Sequence, residues 1–179
     1  MIRLLVGTMF AGKSTELIRV YKLHSYRPRA CFVPALEGSR QENCIDARGE
    51  KLYACTVPKS DELTVELPSD GDIFIDEAQF FSEAFVDRIA EHQALHPSCD
   101  FYIAALSLDS EARPWPTTAK LACVADEVIR FHSQCAKCGC DAIYSACVIE
   151  RSPFRESTFE PRCRSCYYKL KTHEEKTQC

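Results

Sequence analysis

The sequence has no apolar stretch long enough to span a bilayer, no internal repeat and no low-complexity segment. A membrane-spanning helix needs about 20 consecutive apolar residues. Residues 1–6 are mostly apolar, but Gly7 and then Lys13 follow too early for the apolar region of an export signal. We therefore expect a cytoplasmic protein that does not span a membrane.

An excess of basic residues is also missing. The 22 Lys and Arg residues are outnumbered by 26 Asp and Glu residues, and the formal net charge is −4. Proteins that bind long nucleic acids through their phosphates usually carry a basic surface. We therefore expect small molecules, and not a long nucleic acid, as partners.

Cysteine is abundant, and its placement is uneven. Six of the 12 cysteines lie between positions 135 and 166. Disulfides seldom persist in the cytosol, so this clustering indicates a metal site. Four of the six form two C-x-x-C pairs: Cys135 with Cys138, and Cys163 with Cys166.

This paired spacing is typical of a zinc ribbon with tetrahedral coordination. Four thiolates fill the coordination shell, so the predicted Zn²⁺ is structural. Cys140 and His132 lie close enough to compete as ligands, although neither has the paired spacing.

Apolar runs alternate with helical periodicity in the first part of the chain. Helices are predicted over residues 13–26 and from an N-cap at Ser82 to a point before Pro97, and the polar residues 35–52 are expected to form a long loop. Strands are predicted at residues 2–6, 31–33, 73–75, 101–106 and 128–131. This alternation predicts an α/β fold with a parallel sheet covered on both faces.

The composition changes at His132, where the chain becomes rich in cysteine. We therefore place a domain boundary there, with one domain over residues 1–131 and a second, smaller one over 132–170. Residues 171–179 are polar and lack periodicity, so we expect a disordered tail.

Residues 7–14 fit the phosphate-loop pattern G-x-x-x-x-G-K-[ST] between a predicted strand and a predicted helix. The backbone amides of such a loop surround phosphate oxygens, its lysine reaches the β- and γ-phosphates, and its hydroxyl binds Mg²⁺. The candidate ATP-binding residues in this stretch are Gly7, Thr8, Met9, Phe10, Ala11, Gly12, Lys13, Ser14 and Thr15.

Asp76 and Glu77 end the apolar strand predicted at residues 73–75. Phosphate-loop proteins hold their Mg²⁺ shell at such a strand end, which suits Asp76 together with Ser14. The neighbouring carboxylate of Glu77 can then accept a proton from an attacking hydroxyl.

These three motifs, in this order and in a chain of this length, resemble the thymidine kinase family found in bacteria and in the cytosol of animals. Residues 7–17 match its pattern G-x-M-[FY]-[SA]-G-K-[ST]-[ST]-E-L, and residues 75–81 match I-D-E-[AG]-Q-F-F. The resemblance implies a Rossmann-like P-loop domain with an appended zinc ribbon, whose substrate-covering loop is called a lasso. It also implies a homotetramer and transfer of the γ-phosphate of ATP to the 5′-hydroxyl of thymidine, in deoxynucleotide salvage.

The resemblance also assigns roles to individual residues. It makes Glu77 the general base and places Arg40 near the transferred phosphate, with Arg48 a looser match. It adds Gln79 to the cofactor-binding residues and Lys13 to the catalytic ones. The residues that it implies for the nucleoside are Met9, Phe80, Tyr144, Ser145 and Phe159.

Two departures from the family pattern concern the nucleoside pocket. Ser110 stands where the family has an aromatic residue, and the lasso is short and lacks the family's paired glycines. The sequence therefore predicts a kinase that prefers thymidine but tolerates deoxyuridine and 5-substituted analogues. Two alternatives remain: the same chemistry on another nucleoside, or a P-loop ATPase or zinc-ribbon nucleic-acid binder that uses Arg151, Arg155, Arg162 and Arg164.

Overall fold

The computed structural model describes residues 1–36, 43–149 and 158–177, with side chains described through residue 172. The helices are α1 (Lys13–Leu23), α2 (Glu83–Leu95), α3 (Pro116–Val124) and α4 (Arg164–Thr177), with 3-10 turns at Lys59–Asp61 and Ala78–Phe80. The strands are β1 (Ile2–Gly7), β2 (Arg29–Pro34), β3 (Cys44–Ala47), β4 (Glu50–Tyr53), β5 (Cys55–Val57), β6 (Gly71–Ile75), β7 (Cys99–Leu106), β8 (Glu127–Phe131), β9 (Ser133–Gln134), β10 (Asp141–Ala142), β11 (Tyr144–Ile149) and β12 (Thr158–Arg162).

The centre of the molecule is a six-stranded parallel sheet in the order β5-β2-β6-β7-β1-β8. All five strands predicted from apolar runs lie in this sheet, and β5 completes it. The α/β fold class with a parallel sheet is therefore confirmed. Because the strands are parallel, their carboxyl ends share one edge, where α/β proteins bind ligands.

Both faces of the sheet are covered, because side chains of each strand alternate between them. Leu5 of β1 packs in one cluster with Leu17 and Ile18 of α1. Its neighbour Leu4 packs in the other cluster with Phe85 of α2 and Leu121 of α3. The near-continuous apolar runs of the strands follow from this two-sided burial.

The first two helices begin in different ways. The side-chain oxygen of Ser82 accepts a hydrogen bond from the amide of Phe85 at 3.3 Å, as the predicted N-cap of α2. The start of α1 is set by Gly12, which has the left-handed φ of 91°.

The prediction of a long loop over residues 35–52 is wrong for much of that range. β3 and β4 pair as an antiparallel hairpin, and Ile45 is fully buried against the α1 face of the sheet. The hairpin turn is formed by Arg48 and Gly49, both with positive φ, as a two-residue hairpin turn requires. Residues 37–42 lie outside the described residues.

The chain beyond β8 forms two small antiparallel pairs, β9 with β10 and β11 with β12, followed by α4. Tyr144, Ala146 and Tyr167 are the buried centre of this part. α4 continues to Thr177, into the segment that the sequence analysis expects to form a disordered tail. Within the described ranges, no helix combines the length and the apolar character needed to cross a membrane.

Candidate functional site

A cavity of about 980 Å³ opens at the carboxyl edge of the sheet. It is lined by residues 9–15 after β1, by Glu77 and Phe80 after β6, and by the segment after β7. The β3–β4 hairpin adds Arg48 to its wall. The phosphate loop and the acidic strand end predicted from sequence therefore meet at one cavity.

The phosphate loop curls around its own lysine. Lys13 Nζ donates a hydrogen bond to the carbonyl oxygen of Thr8 at 2.7 Å. Phe10 and Gly12 both have positive φ, which allows the backbone to turn tightly. Burial lowers the pKa of Lys13, while the charges of Glu77 and Asp76 oppose that shift. The loop thus holds a cation directly beside two carboxylates.

Asp76 is almost completely buried at the end of β6. Its Oδ1 accepts from the amide of Glu77 at 2.9 Å, whereas Oδ2 has no hydrogen-bond partner among the described residues. Burial and the neighbouring charge of Glu77 raise the pKa of Asp76 to about 7, against an opposing hydrogen bond with Ser14. A buried carboxylate oxygen without a partner, beside a serine hydroxyl, fits a hard cation such as Mg²⁺.

Glu77 is held in place by its neighbour Gln79. Gln79 Nε2 donates to Glu77 Oε2 at 2.6 Å, and Gln79 Oε1 accepts from the amide of Leu106 at 3.0 Å. Gln79 is buried, and its hydrogen bond with Leu106 anchors it to β7. The backbone of Glu77 has the left-handed φ of 54°, and its side chain lines the cavity.

Two aromatic rings lie next to each other on the cavity wall. Phe80 and Trp115 meet edge to face, with ring centroids 5.3 Å apart. Sequence reasoning missed Trp115, together with Leu108, Asp109 and Arg113, which line the same wall. The available signal was a tryptophan between two prolines, shortly past the carboxyl end of a buried strand.

The residues predicted to contact the nucleoside divide into two groups. Met9, Phe80, Ser145 and Phe159 line the cavity. Tyr144 does not, since its ring is buried and stacks on Tyr167 with centroids 4.5 Å apart.

Ser145 has a further contact, with the phosphate loop. Its Oγ accepts a hydrogen bond from the amide of Met9 at 3.0 Å. Arg40, predicted near the transferred phosphate, lies outside the described residues, as do Arg151 and Arg155.

The four cysteines of the two C-x-x-C pairs come together, with all four Sγ atoms within 4.8 Å of one another. The Sγ atoms of Cys138 and Cys163 are 3.6 Å apart. Tetrahedral zinc with Zn–S bonds of about 2.3 Å requires sulfur atoms about 3.8 Å apart, so this spacing fits Zn²⁺. The competing candidates Cys140 and His132 are not members of this group.

The electrostatics of the cluster favour a thiolate at Cys135, whereas the hydrogen bond with Cys163 and burial raise the pKa of Cys166 to about 12. Burial opposes ionisation of Cys135, but backbone hydrogen bonds from residues of the two knuckles outweigh it and lower the pKa of Cys135 to about 6. Thiolates are the form that binds metal.

Comparison with known proteins agrees with this arrangement. A family model described as thymidine kinase matches residues 1–167. A protein named thymidine kinase from Bacteroides thetaiotaomicron is 30% identical over 177 residues, which cover 95% of this chain and 88% of that protein. Thymidine kinases of two Bacteroides fragilis strains are 31% identical over 173 residues, covering 93% of this chain and 86% of theirs.

Proposed function

This chain belongs to the thymidine kinase family, and from that premise we propose that it transfers the γ-phosphate of ATP to the 5′-hydroxyl of thymidine, giving dTMP and ADP. The observation that carries the proposal is the shared cavity: the phosphate loop, the Glu77 carboxylate and an aromatic wall all face the same space. A phosphoryl donor and a hydroxyl acceptor can therefore lie in line within it, which is the main requirement of this reaction.

The phosphate loop and the adjoining strand end are the proposed ATP site. Residues 7–15 would surround the phosphates with backbone amides, with Lys13 close to the β- and γ-phosphates. Ser14 and Asp76 would hold Mg²⁺, for which the unpartnered Oδ2 of Asp76 is suited. When bound, the ion would neutralise charge on the ATP phosphates.

Glu77 is the proposed general base. Its carboxylate lines the cavity beside the phosphate loop, and Gln79 fixes one of its oxygens at 2.6 Å. Within the described part of the chain, no hydrogen bond involves the other oxygen, which can therefore face a hydroxyl in the cavity. A held carboxylate of this kind can take the proton from the 5′-hydroxyl as the phosphoryl group arrives.

The nucleoside would lie against Phe80 and Trp115, with Met9, Ser145 and Phe159 completing its surroundings. Tyr144 would support this wall from behind through its stack on Tyr167. A planar base fits beside the edge-to-face aromatic pair, because aromatic rings offer a large flat surface.

The proposal extends to the organisation of the protein. We assign one structural Zn²⁺ to Cys135, Cys138, Cys163 and Cys166, in a ribbon domain over residues 132–170 that follows a kinase domain over 1–131. The close approach of the four Sγ atoms supports the metal assignment. A homotetramer and a cytoplasmic location are proposed on the family resemblance, and light scattering of the purified protein tests the former.

A second candidate is the same chemistry on another nucleoside, such as deoxyuridine or a modified pyrimidine. It is favoured by Ser110, a small side chain on the cavity wall where the family has an aromatic residue. Thymine differs from uracil by one methyl group, which gives a discrimination of only about 10- to 200-fold.

The test is a comparison of kcat/KM for thymidine, deoxyuridine, deoxycytidine and deoxyguanosine with ATP as donor. We expect thymidine to have the highest value, with deoxyuridine and 5-substituted analogues next. A purine nucleoside or deoxycytidine with the highest value would contradict the thymidine assignment while leaving the kinase assignment intact. Absence of phosphorylation of any nucleoside, with ATP hydrolysed alone, would contradict both.

A further inference from the structure

The segment between β7 and α3, residues 107–115, forms one wall of the cavity and is braced internally. Asp109 Oδ1 accepts from the amides of Glu111 and Arg113, each at 2.9 Å. Its Oδ2 accepts from the guanidinium of Arg113 at 2.8 Å. Because these bonds join residues within the segment, we expect it to move as one unit. That unit includes Ser110 and Trp115, which line the cavity.

One partly buried hydrogen bond ties this wall to α4. The hydroxyl of Tyr167 donates to the carbonyl oxygen of Ser110 at 2.7 Å, across 57 positions of sequence. Tyr167 is 2% exposed and Ser110 is half-buried, so a carbonyl that lost this donor would be only partly solvated, which is costly. A second tie, between Lys171 and Glu111 at 2.9 Å, joins side chains that are 31% and 52% exposed and is therefore weak.

The position of Tyr167 is itself set by the cysteine cluster. Tyr167 directly follows Cys166, and its amide donates to the carbonyl oxygen of Cys163 at 2.9 Å. Its ring stacks on Tyr144, with the two planes 16° apart. The hydroxyl of Tyr167 therefore has little freedom to move once the four cysteines are in place.

We propose that Tyr167 is a positioning residue for nucleoside binding, which transmits the geometry of the cysteine cluster to the cavity wall through the carbonyl of Ser110. The inference rests on the proposed function, since it takes the cavity to be the nucleoside site. The proposal gives α4 a role in substrate binding, although no residue of this helix in the described part of the chain lines the cavity.

The test compares Tyr167→Phe with the matched control Tyr168→Phe. Phe keeps the ring that stacks on Tyr144 and removes the hydroxyl alone. Tyr168 lies on the same helix, is half exposed, and meets Tyr144 and Tyr167 only with ring edges. We expect KM for thymidine to rise about threefold to tenfold in Tyr167→Phe, the usual effect of one net hydrogen bond. The value of kcat, KM for ATP and the zinc content should stay within twofold, and Tyr168→Phe should resemble the parent protein.

A fall in kcat together with a similar rise in the KM values for thymidine and for ATP would indicate a general structural role and overturn the proposal. An unchanged KM for thymidine would also overturn it. If the parent protein prefers another nucleoside, the substrate assignment fails, and the same comparison with that nucleoside decides the role of Tyr167.

Hydrogen–deuterium exchange over residues 107–115 gives a readout that needs no substrate. The amides of this segment should exchange faster in Tyr167→Phe than in Tyr168→Phe. Identical exchange in the two variants would overturn the proposal even if no nucleoside proved to be a substrate.

Discussion

Glu77 combines a backbone conformation that non-glycine residues rarely adopt with a short hydrogen bond from a buried amide side chain. Such conformations cost about 1–3 kcal/mol and persist where the surrounding structure enforces them, often at functional sites. The buried anchor of Gln79 on β7 supplies that enforcement here. At the residue scale, this arrangement is the strongest structural argument for the role of Glu77.

The substitution Glu77→Gln should lower kcat about 10²- to 10⁴-fold, because it removes the basic oxygen while keeping the size of the side chain. ATP affinity, measured by calorimetry, should change little. Glu83→Gln, on the exposed first turn of α2, is the matched control and should keep full activity. Turnover close to that of the parent protein in Glu77→Gln would remove Glu77 from the mechanism.

Gly71 begins β6, and it lies very close to the backbone of Pro28, the residue that precedes β2. It has a φ of 99°, and an added Cβ would lie 2.3 Å from the carbonyl oxygen of Pro28. Gly49, at the hairpin turn, has a similar φ of 82° but nothing within 4 Å of an added Cβ. The two glycines therefore share a conformational requirement and differ in the steric one.

Urea denaturation of Gly71→Ala and Gly49→Ala should separate these two requirements. Gly49→Ala should lose about 1 kcal/mol of unfolding free energy, for the left-handed conformation alone. Gly71→Ala should lose a further ~1–3 kcal/mol, because two backbone segments must move apart. Equal losses in the two variants would show that the contact with Pro28 is relieved without cost.

At the scale of elements, the strands and helices that could be predicted from sequence are those that bury a continuous or periodic set of apolar residues. The five strands predicted from apolar runs are buried on both faces, apart from the edge strand β8, and α1 and α2 each place a recognisable apolar face on the sheet. The β3–β4 hairpin was missed because Ile45 is its one fully buried residue, so no alternation marks it. α3 was missed because two of its three buried residues are threonines, Thr117 and Thr118, which interrupt the apolar periodicity.

The candidate site shows the same division. The phosphate loop, the acidic strand end and the cysteine pairs are local in sequence, so their spacing predicted them. The cavity wall at Trp115 and its tie to Tyr167 join segments that are distant along the chain. Contacts of that kind follow from the packing of the whole fold, which local patterns do not specify.

The ligand set of the ribbon can be tested at this scale with two serine variants. Cys138→Ser should lower the zinc content well below one per chain, because it removes one of the four converging thiols. Cys140→Ser, two positions further on, should retain the metal, since Cys140 lies outside the group. Elemental analysis of both proteins decides the matter. Full zinc content in Cys138→Ser with loss in Cys140→Ser would overturn the assignment.

Across the whole molecule, the two edges of the central sheet carry different charge arrangements. The carboxyl edge holds the cavity, with a lysine and two carboxylates. The opposite edge holds a network around Asp72, whose side chain is fully buried. Arg27 lies 2.8 Å from both Asp72 and Asp100, and the amino group of Met1 lies 3.0 Å from Asp100. Since the two charge groups lie at opposite edges, stability and catalysis should respond separately to changes in each.

Arg27→Met tests this separation. Removing the cation leaves the buried Asp72 carboxylate without its arginine partner, although His24 Nδ1 stays 2.7 Å from it. The change should cost up to about 3 kcal/mol of unfolding free energy at neutral pH. Arg19→Met is the matched control: Arg19 pairs with Glu16 on the exposed side of α1, so its removal should change the unfolding free energy very little. At temperatures where Arg27→Met stays folded, its kcat/KM should equal that of the parent protein.

Arg27 also contacts Asp100, and the part of its contribution to stability that comes from Asp100 depends on pH with a definite sign. Burial alone would raise the pKa of Asp100, but hydrogen bonds from Arg27 and from the amino terminus lower it below its ordinary value. The resulting stabilisation is complete above that ordinary value and is lost as the pH falls through the lower folded-state pKa. The stability gap between the parent protein and Arg27→Met should therefore narrow below about pH 4, the usual range of aspartate. A gap that is constant between pH 7 and pH 3 in urea titrations would instead assign the loss to the packing of the Arg27 side chain.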